Sequence, residues 1–135
     1  WVPFHKLSQW LAYSLLEPFE WAGVTIGDDA QLTALPEYRN GGLLLDTGVL
    51  QPVNPSGTNT TFGIGDELIV EWRALTVALL DEVAPRVRKV LDRTEEELPL
   101  ACVLEGGTWA AGRSLAQRLR DGAPPLLIES DGTVF

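Results

Sequence analysis

Residues 66–83 read DELIVEWRALTVALLDEV and carry the strongest helical pattern of this 135-residue chain. Large apolar side chains recur there at steps of three and four residues, which puts them on one face of an α-helix. These side chains are Leu68, Trp72, Leu75, Leu79 and Val83. Asp66 stands where its carboxylate can accept hydrogen bonds from the free amides of the first turn. The stretch therefore predicts a long helix that begins after Asp66, with Glu71 and Arg73 flanking its apolar stripe.

Further helical patterns lie on both sides of this helix. The apolar residues of the first one are Leu7, Trp10, Leu11, Leu15 and Phe19. They predict a helix that Pro18 breaks or kinks, because proline lacks an amide proton. Pro85 is expected to kink the central helix or to open a second one. Residues 109–120 predict another helix, with Thr108 as its N-cap.

Strand signals are few. Residues 98–104 are apolar and fit either a strand or a buried helical turn, because so short a run has no decisive periodicity. Residues 126–135 predict a β-hairpin with Asp131 and Gly132 as its turn. Residues 54–65 are rich in Pro, Gly, Thr and Asn and predict a flexible loop. The predicted fold is mainly α with a minor β-hairpin near the C-terminus.

Composition restricts the class of protein. Apolar residues make up 45% of the chain, enough for a packed core, and no run of about 18 of them predicts a membrane-spanning helix. The 19 acidic residues outnumber the 10 basic ones, giving a formal charge of -9. This balance argues against a nucleic-acid partner, because phosphate backbones bind clustered Lys and Arg. The single cysteine, Cys102, lies between apolar neighbours and is predicted to be a buried, inert thiol of a cytoplasmic protein.

The sequence lacks the familiar cofactor signatures. It has no phosphate-binding loop with its lysine, no dinucleotide-binding glycine pattern and no paired cysteines, so we expect no cofactor and no metal. What remains is a set of carboxylates and arginines among apolar and tryptophan neighbours. Charged groups in such surroundings are costly unless they are paired. They are therefore either structural ion pairs or parts of a site.

The candidate site residues fall into two groups. The candidates for a catalytic carboxylate, which would have a raised pKa or polarise water for acid–base chemistry, are Glu37, Asp46 and Glu105. The candidates for substrate binding are His5, Tyr38, Arg39, Glu71, Arg73 and Trp109. An enzyme predicts that these side chains converge on one cleft, whereas separate surface pairs would favour a non-enzymatic scaffold or regulatory partner of other enzymes.

Five stretches resemble the C-terminal signature of the domain-of-unknown-function 1688 family, namely VPFHKLSQWLAYSLLEPFEWAG, LPEYRNGGLLLDTGVL, ELIVEWRALTVALLDEV, LEGGTWAAGR and SDGTVF. Proteins of that family are about three times longer, so the resemblance implies that residues 1–135 are a single C-terminal portion of a larger domain of roughly 400 residues. The opening residue, Trp1, agrees with this expectation. The resemblance also implies a uracil-degrading pathway that converts uracil to a nucleotide, opens its ring and releases urea.

A second likeness implies a chemistry. Three short motifs are similar in layout to queuosine-salvage nucleosidases, namely Glu37-Tyr38-Arg39, Gly48-Val49-Leu50 and Glu71-Trp72-Arg73-Ala74, although Glu37 stands where those enzymes carry Asp. This likeness implies a DNA-glycosylase-like helical fold in the full-length protein and cleavage of an N-glycosidic bond.

Together the two resemblances imply a small-molecule substrate derived from a nucleoside or nucleotide. We expect hydrolysis of a ring-opened uracil riboside, ribosylurea or its phosphate, and we expect the remaining N-terminal part of the same protein as a partner. An amidohydrolase that acts on the ureido group is a further hypothesis.

Overall fold

A computed structural model describes residues 5–27, 32–53 and 60–135. Within these ranges the helices are α1 (His5–Trp21), α2 (Tyr38–Asp46), α3 (Glu67–Leu91), α4 (Leu100–Cys102) and α5 (Ala110–Arg120). A π-helical segment, Val103–Trp109, joins α4 to α5 and is called the π segment below. The strands are β1 (Thr61–Gly63) and β2 (Leu127–Glu129). The prediction of a mainly α protein is confirmed, and the DNA-glycosylase-like fold of a full-length protein stays a prediction.

α3 begins after Asp66, as predicted, and continues through Pro85 without ending there. The Asp66 carboxylate does not cap the helix but accepts a hydrogen bond from the Gly63 amide, with Oδ2 and N 2.8 Å apart. The buried face is rotated relative to the predicted stripe. Its residues are Ile69, Trp72, Arg73, Thr76, Leu80 and Ala84, whereas Leu75 is exposed.

Gly41 of α2 accounts for this rotation. A Cβ atom at position 41 would lie 2.6 Å from Thr76 Oγ1 and 2.7 Å from Trp72 Nε1, so only glycine lets the two helices approach this closely. The Thr76 hydroxyl donates to the Trp72 carbonyl at 2.7 Å, which satisfies it inside the interface. Thr76 is therefore buried against α2, whereas the periodicity of the large apolar residues predicts that Leu75 is buried.

α4, the π segment and α5 form one helical run from Leu100 to Arg120. The predicted N-cap at Thr108 is therefore wrong, because Thr108 lies inside this run. Its hydroxyl instead donates to Asn40 Oδ1 of α2 at 3.0 Å, and both side chains are buried. The capping signal is local, and it cannot show that the preceding turn, with Gly106 and Gly107, is also helical.

α5 crosses α2 at Gly112. A Cβ atom there would clash with the carbonyl oxygen of Arg39, so the backbones of the two helices are in direct contact. Cys102, at the end of α4, is exposed, so its predicted burial is wrong. The apolar neighbour that packs inward is Val103, which the helical geometry turns away from Cys102.

The strand prediction is right in place and wrong in pairing. β2 pairs in parallel with β1, with Thr61 opposite Leu127 and Gly63 opposite Glu129. No hairpin forms in residues 126–135, because the chain does not turn back at Asp131 and Gly132 but leads into the buried Val134 and Phe135. The Phe135 ring packs edge-on against Trp72, with ring centroids 4.5 Å apart. β1 itself falls in the predicted loop, of which residues 54–59 lie outside the described residues.

α1 runs through Pro18 and lies against residues 32–35. Tyr13 donates its hydroxyl proton to the Thr33 carbonyl at 3.0 Å, and the Thr33 amide donates to Gln9 Oε1 at 3.3 Å. None of the described helices combines the length and the hydropathy that crossing a bilayer requires.

Candidate functional site

The first turn of α2 is organised by Glu37. This carboxylate is 3% exposed and is the N-cap of the helix, where its Oε2 accepts hydrogen bonds from the amides of Arg39 at 2.8 Å and Asn40 at 3.4 Å. Its other oxygen, Oε1, accepts from Arg39 Nη1 at 2.8 Å. One carboxylate therefore caps the backbone and fixes the direction of the Arg39 side chain.

Arg39 lies between two aromatic rings. Its guanidinium carbon is 4.4 Å from the centroid of the Tyr38 ring and 5.3 Å from that of Trp109, at the end of the π segment. Arg113 of α5 also lies 5.3 Å from the Trp109 ring. A guanidinium held close to aromatic rings forms a surface on which a flat polar group can pack. The half-buried Arg39 side chain remains accessible from solvent.

Lys6 and Arg73 are two further cations of this region, and the charges of Glu37, Arg39 and Arg73 all act on Lys6. The pKa of the Lys6 ammonium is lowered, mainly by burial. The carboxylates of Glu37 and Asp131 oppose this lowering, and the guanidinium groups of Arg39 and Arg73 add to it. Lys6 thus lies within electrostatic reach of all four groups. Arg73 is 3% exposed, and this burial lowers the pKa of its guanidinium.

Residues 131–133, called the C-terminal turn below, contribute the last member of this group of charges. Lys6 Nζ donates to the Gly132 carbonyl at 2.7 Å. Asp131 Oδ1 accepts from the Thr133 hydroxyl at 2.7 Å and from the Thr133 amide at 2.9 Å, and these bonds lower the pKa of the Asp131 carboxyl. An open groove of about 590 Å³ runs along β2 and this turn, and Asp131 and Thr133 line it.

We call Lys6, Glu37, Arg39, Arg73 and Asp131 the cationic cluster. Three cations and two carboxylates give it a formal charge of +1 on a chain whose total is -9. Its members come from α1, the start of α2, α3 and the C-terminal turn, and Trp109 adds the π segment. All five stretches that carry the family resemblance therefore contribute to one region. A locally positive, partly buried site of this kind suits an anion such as a phosphate group.

The Thr108–Asn40 hydrogen bond ties the π segment to α2 one residue from Arg39 and one from Trp109. An i→i+5 segment shifts the side chains that follow it relative to an α-helix, and such segments are frequent at functional sites. Here the shift brings Thr108 against α2 and places Trp109 beside Arg39.

Not all predicted site residues join the cluster. Asp46, at the other end of α2, is held by Arg120 in a bidentate pair, with distances of 2.9 and 2.7 Å. Glu71 on α3 and Glu105 on the π segment are exposed. The His5 side chain lies outside the described residues. The structure thus brings Glu37, Tyr38 and Trp109 together around Arg39, and Arg73 acts electrostatically on the neighbouring Lys6.

Sequence reasoning missed Lys6, Asp131 and Arg120. The sequence around Asp131 predicts only a turn, and the pairing of Arg120 with Asp46 spans 74 positions of the chain. No local sequence pattern links Lys6, Asp131 or Arg120 to α2. The single indication of a role in the site is that Lys6 is adjacent to the candidate residue His5. In the described ranges, no three His, Cys, Asp or Glu side chains lie close enough together to hold a metal ion.

Comparison with known proteins identifies the family. The family described as "Protein of unknown function (DUF1688)" matches residues 1–135. The chain is 47% identical over 137 residues to "Protein urg3" of Schizosaccharomyces pombe (strain 972 / ATCC 24843), covering 98% of this chain and 34% of the relative. It is 45% identical over 153 residues to "Uracil catabolism protein 4" of Lachancea kluyveri, covering 99% and 34%. No solved structure matches the chain.

The chain therefore belongs to the DUF1688 family, and the family resemblance is confirmed. It spans about a third of the length of the curated relatives it matches. The likeness to queuosine-salvage nucleosidases stays a prediction.

Proposed function

We propose, from its membership of this family, that the chain is part of a protein that acts in uracil catabolism. The name of the Lachancea kluyveri relative, uracil catabolism protein 4, supports this role, as does the 45% identity over almost the whole chain. We propose further that the reaction is hydrolysis of the N-glycosidic bond of a ring-opened uracil riboside, ribosylurea or its phosphate.

The observation that carries this proposal is the cationic cluster beside Trp109. A phosphorylated riboside needs cations for its phosphate, a flat surface for its ureido group and an anion near the carbon that becomes positive. Lys6 and Arg39 supply half-buried cations, and the buried Arg73 adds further positive charge. The Arg39 guanidinium and the neighbouring rings of Tyr38 and Trp109 supply the flat surface, and Glu37 supplies the anion.

The reaction breaks the bond between the sugar C1′ and the urea nitrogen. The nitrogen takes the electron pair of that bond and a proton, and the oxygen of water bonds to C1′ and releases a proton. The products are urea and the free or phosphorylated sugar. The transition state resembles an oxocarbenium ion, as in glycoside hydrolysis.

Glu37 is suited to stabilise that cation. Its oxygens already accept hydrogen bonds from the Arg39 amide and guanidinium, which fixes the carboxylate in place before the substrate binds. A preorganised charge of this kind costs no rearrangement when positive charge develops. Asp46 is less suited, because it lies at the opposite end of α2 from Arg39 and Trp109, where it pairs with Arg120.

The test is a urea-release assay of a polypeptide of the relatives' length that contains this chain, with free and phosphorylated ribosylurea as substrates. Glu37→Gln is expected to lower kcat roughly 100-fold, the size typical of removing one preorganised electrostatic group. Arg39→Gln is expected to raise KM for the phosphorylated substrate more than for the free one, since it removes a phosphate contact. Glu96→Gln, at an exposed position of the loop after α3, is the matched control.

Circular dichroism and thermal unfolding must accompany the Glu37→Gln assay, because losing an N-cap carboxylate costs about 1 kcal/mol of stability. Absence of urea release from both substrates by the folded wild-type protein would refute the hydrolase proposal.

One observation favours a second candidate, a non-enzymatic scaffold or regulatory partner of the pathway enzymes. Asp46 forms a structural ion pair, and Glu71 and Glu105 lie exposed outside the cluster. Only one of the three predicted catalytic carboxylates therefore lies beside the cations. If urea release is absent and the purified protein changes the activity of another enzyme of the pathway, this second candidate replaces the first.

A further inference from the structure

α1 presents most of its large apolar side chains to solvent. These are Leu7, Trp10, Leu11, Leu15, Phe19 and Trp21, all of which are exposed. At 100° per residue they occupy about half of the helix circumference, so they lie on one side of α1, where Ser8 and Ser14 are the polar residues among them. We call this set the outer face of α1. Leu11, near its centre, is 59% exposed, and Trp10 beside it is 55% exposed.

The opposite side of α1 already faces the rest of the described chain. Gln9, Ala12, Tyr13 and Leu16 are half-buried there, and Gln9 and Tyr13 bond to Thr33. A helix with one face on a core normally carries polar residues on the other. α1 instead is apolar on both faces, which is the pattern of a helix that is covered from two sides.

We propose that the outer face of α1 is the docking surface for the part of the full-length family protein that lies outside this chain. In the curated relatives that part is large, because the matched segment is 34% of each relative. Soluble proteins rarely leave a contiguous apolar face of this size open to water. The inference does not depend on the proposed hydrolase activity.

A consequence concerns the cationic cluster. Lys6 lies in the first turn of α1, and its ammonium is bonded to the Gly132 carbonyl. A segment docked on the outer face would therefore lie along the same helix that carries one cation of the cluster. The docked part is thus placed to border the site.

The first experiment measures accessibility in a polypeptide of the relatives' length that contains this chain. Leu11→Cys and Leu15→Cys are labelled with a maleimide, and the labelled peptide is identified by mass spectrometry. Both are expected to react at least about tenfold more slowly in the native protein than in urea, because a covered site reacts only when the structure opens. Val90→Cys, at an apolar position of α3 that is 84% exposed, is the control.

The second experiment identifies what covers the face. Trp10 is replaced by the photoreactive residue p-benzoylphenylalanine, which is of similar size, and the cross-linked peptide is sequenced. A cross-link to a peptide of the same polypeptide outside this chain is the expected result. A cross-link to a second copy, or native labelling at position 11 as fast as in urea, overturns the proposal. Binding of the native protein to lipid vesicles that Leu11→Glu abolishes also overturns it.

Discussion

At the scale of single residues, the charges around Glu37 are coupled to one another. The same carboxylate caps α2 and pairs with Arg39. Glu37 and Asp131 raise the pKa of the Lys6 ammonium, whereas Arg39 and Arg73 lower it. A change at one of these positions therefore alters the protonation equilibrium at another. This coupling offers a test of the cluster that needs no substrate.

Arg39→Gln is expected to raise the pKa of the Lys6 ammonium, and Asp131→Asn is expected to lower it. The first change removes a like charge and the second removes an opposite one. Titration of the Lys6 13Cε resonance measures both, with Lys89 as the internal reference, since the sequence contains only these two lysines. An unchanged Lys6 titration in both variants would contradict the proximity of these groups.

The lowered pKa also sets how Lys6 affects stability. The folded protein binds the Lys6 proton less tightly than the unfolded chain, so the contribution of Lys6 to folding stability is unfavourable at neutral pH. It becomes less unfavourable as pH rises through the folded pKa toward the ordinary lysine value of 10.5.

Thr133→Val is expected to raise the pKa of the Asp131 carboxyl toward its ordinary value of 3.8, because the Thr133 hydroxyl is the main cause of its lowering. The stabilising effect of this carboxylate is present above the unfolded pKa and is lost as pH falls through the folded one. In the variant the folded pKa lies closer to the unfolded one, so this stability should be lost over a smaller range of acidic pH. Carboxyl 13C resonances measure the pKa.

Ser130→Ala is the control for this change, since Ser130 bonds to the Gly132 amide and not to the carboxylate. Equal Asp131 pKa values in the Thr133→Val and wild-type proteins would show that the hydroxyl has no such role.

At the scale of helices and strands, the sequence predicts what periodicity and adjacent motifs encode. The start of α3 at Asp66 is predictable, and so is the grouping of Glu37, Tyr38 and Arg39, because they are neighbours in sequence. The rotation of α3 is not, because it depends on Gly41 of another helix. The π segment is missed for a similar reason, since its register is fixed by the Thr108–Asn40 bond across 68 positions.

Gly112→Ala is expected to destabilise the protein by roughly 2–4 kcal/mol, or to prevent folding, because the new methyl group would meet the Arg39 carbonyl oxygen of α2. Neither atom belongs to a flexible side chain, so α2 and α5 must move apart. Urea denaturation followed by circular dichroism measures the loss.

Gly106→Ala is the matched control in the same helical run. A Cβ atom at position 106 meets nothing within 4 Å. That substitution should stabilise the helix by about 0.5–1 kcal/mol through reduced backbone freedom in the unfolded chain. Similar destabilisation by both alanines would contradict the close crossing at Gly112.

At the scale of the whole molecule, two buried clusters hold the described chain together. One contains Ala34, Leu35, Leu80 and Leu104, and the other contains Ile69, Trp72 and Phe135. The second cluster connects the helices to the sheet, because Phe62 of β1 and Ile128 of β2 pack against it. Composition predicts that a core exists, but it cannot predict that the final residue of the sequence is part of it.

Phe135→Ala is expected to lower the free energy of unfolding by roughly 3–5 kcal/mol, as for other truncations of buried aromatic side chains. The ring is 2% exposed and packs on Trp72, so its loss leaves a cavity between α3 and the sheet. Urea denaturation measures the loss, with the exposed Val53→Ala as the control. A cost below about 1 kcal/mol would show that the C-terminal residue does not join the core.

The parallel pairing of β1 with β2 has a consequence for the order of folding. Thr61 meets Leu127, and α3, the π segment and α5 lie between them in the chain. The entropy of closing so long a loop must be overcome before the first strand contact forms, whereas the helices form from local contacts. The strand pair should therefore assemble after the helices, near the end of the folding reaction. On the ribosome, β1 emerges long before its partner and must wait unpaired until β2 has been synthesised.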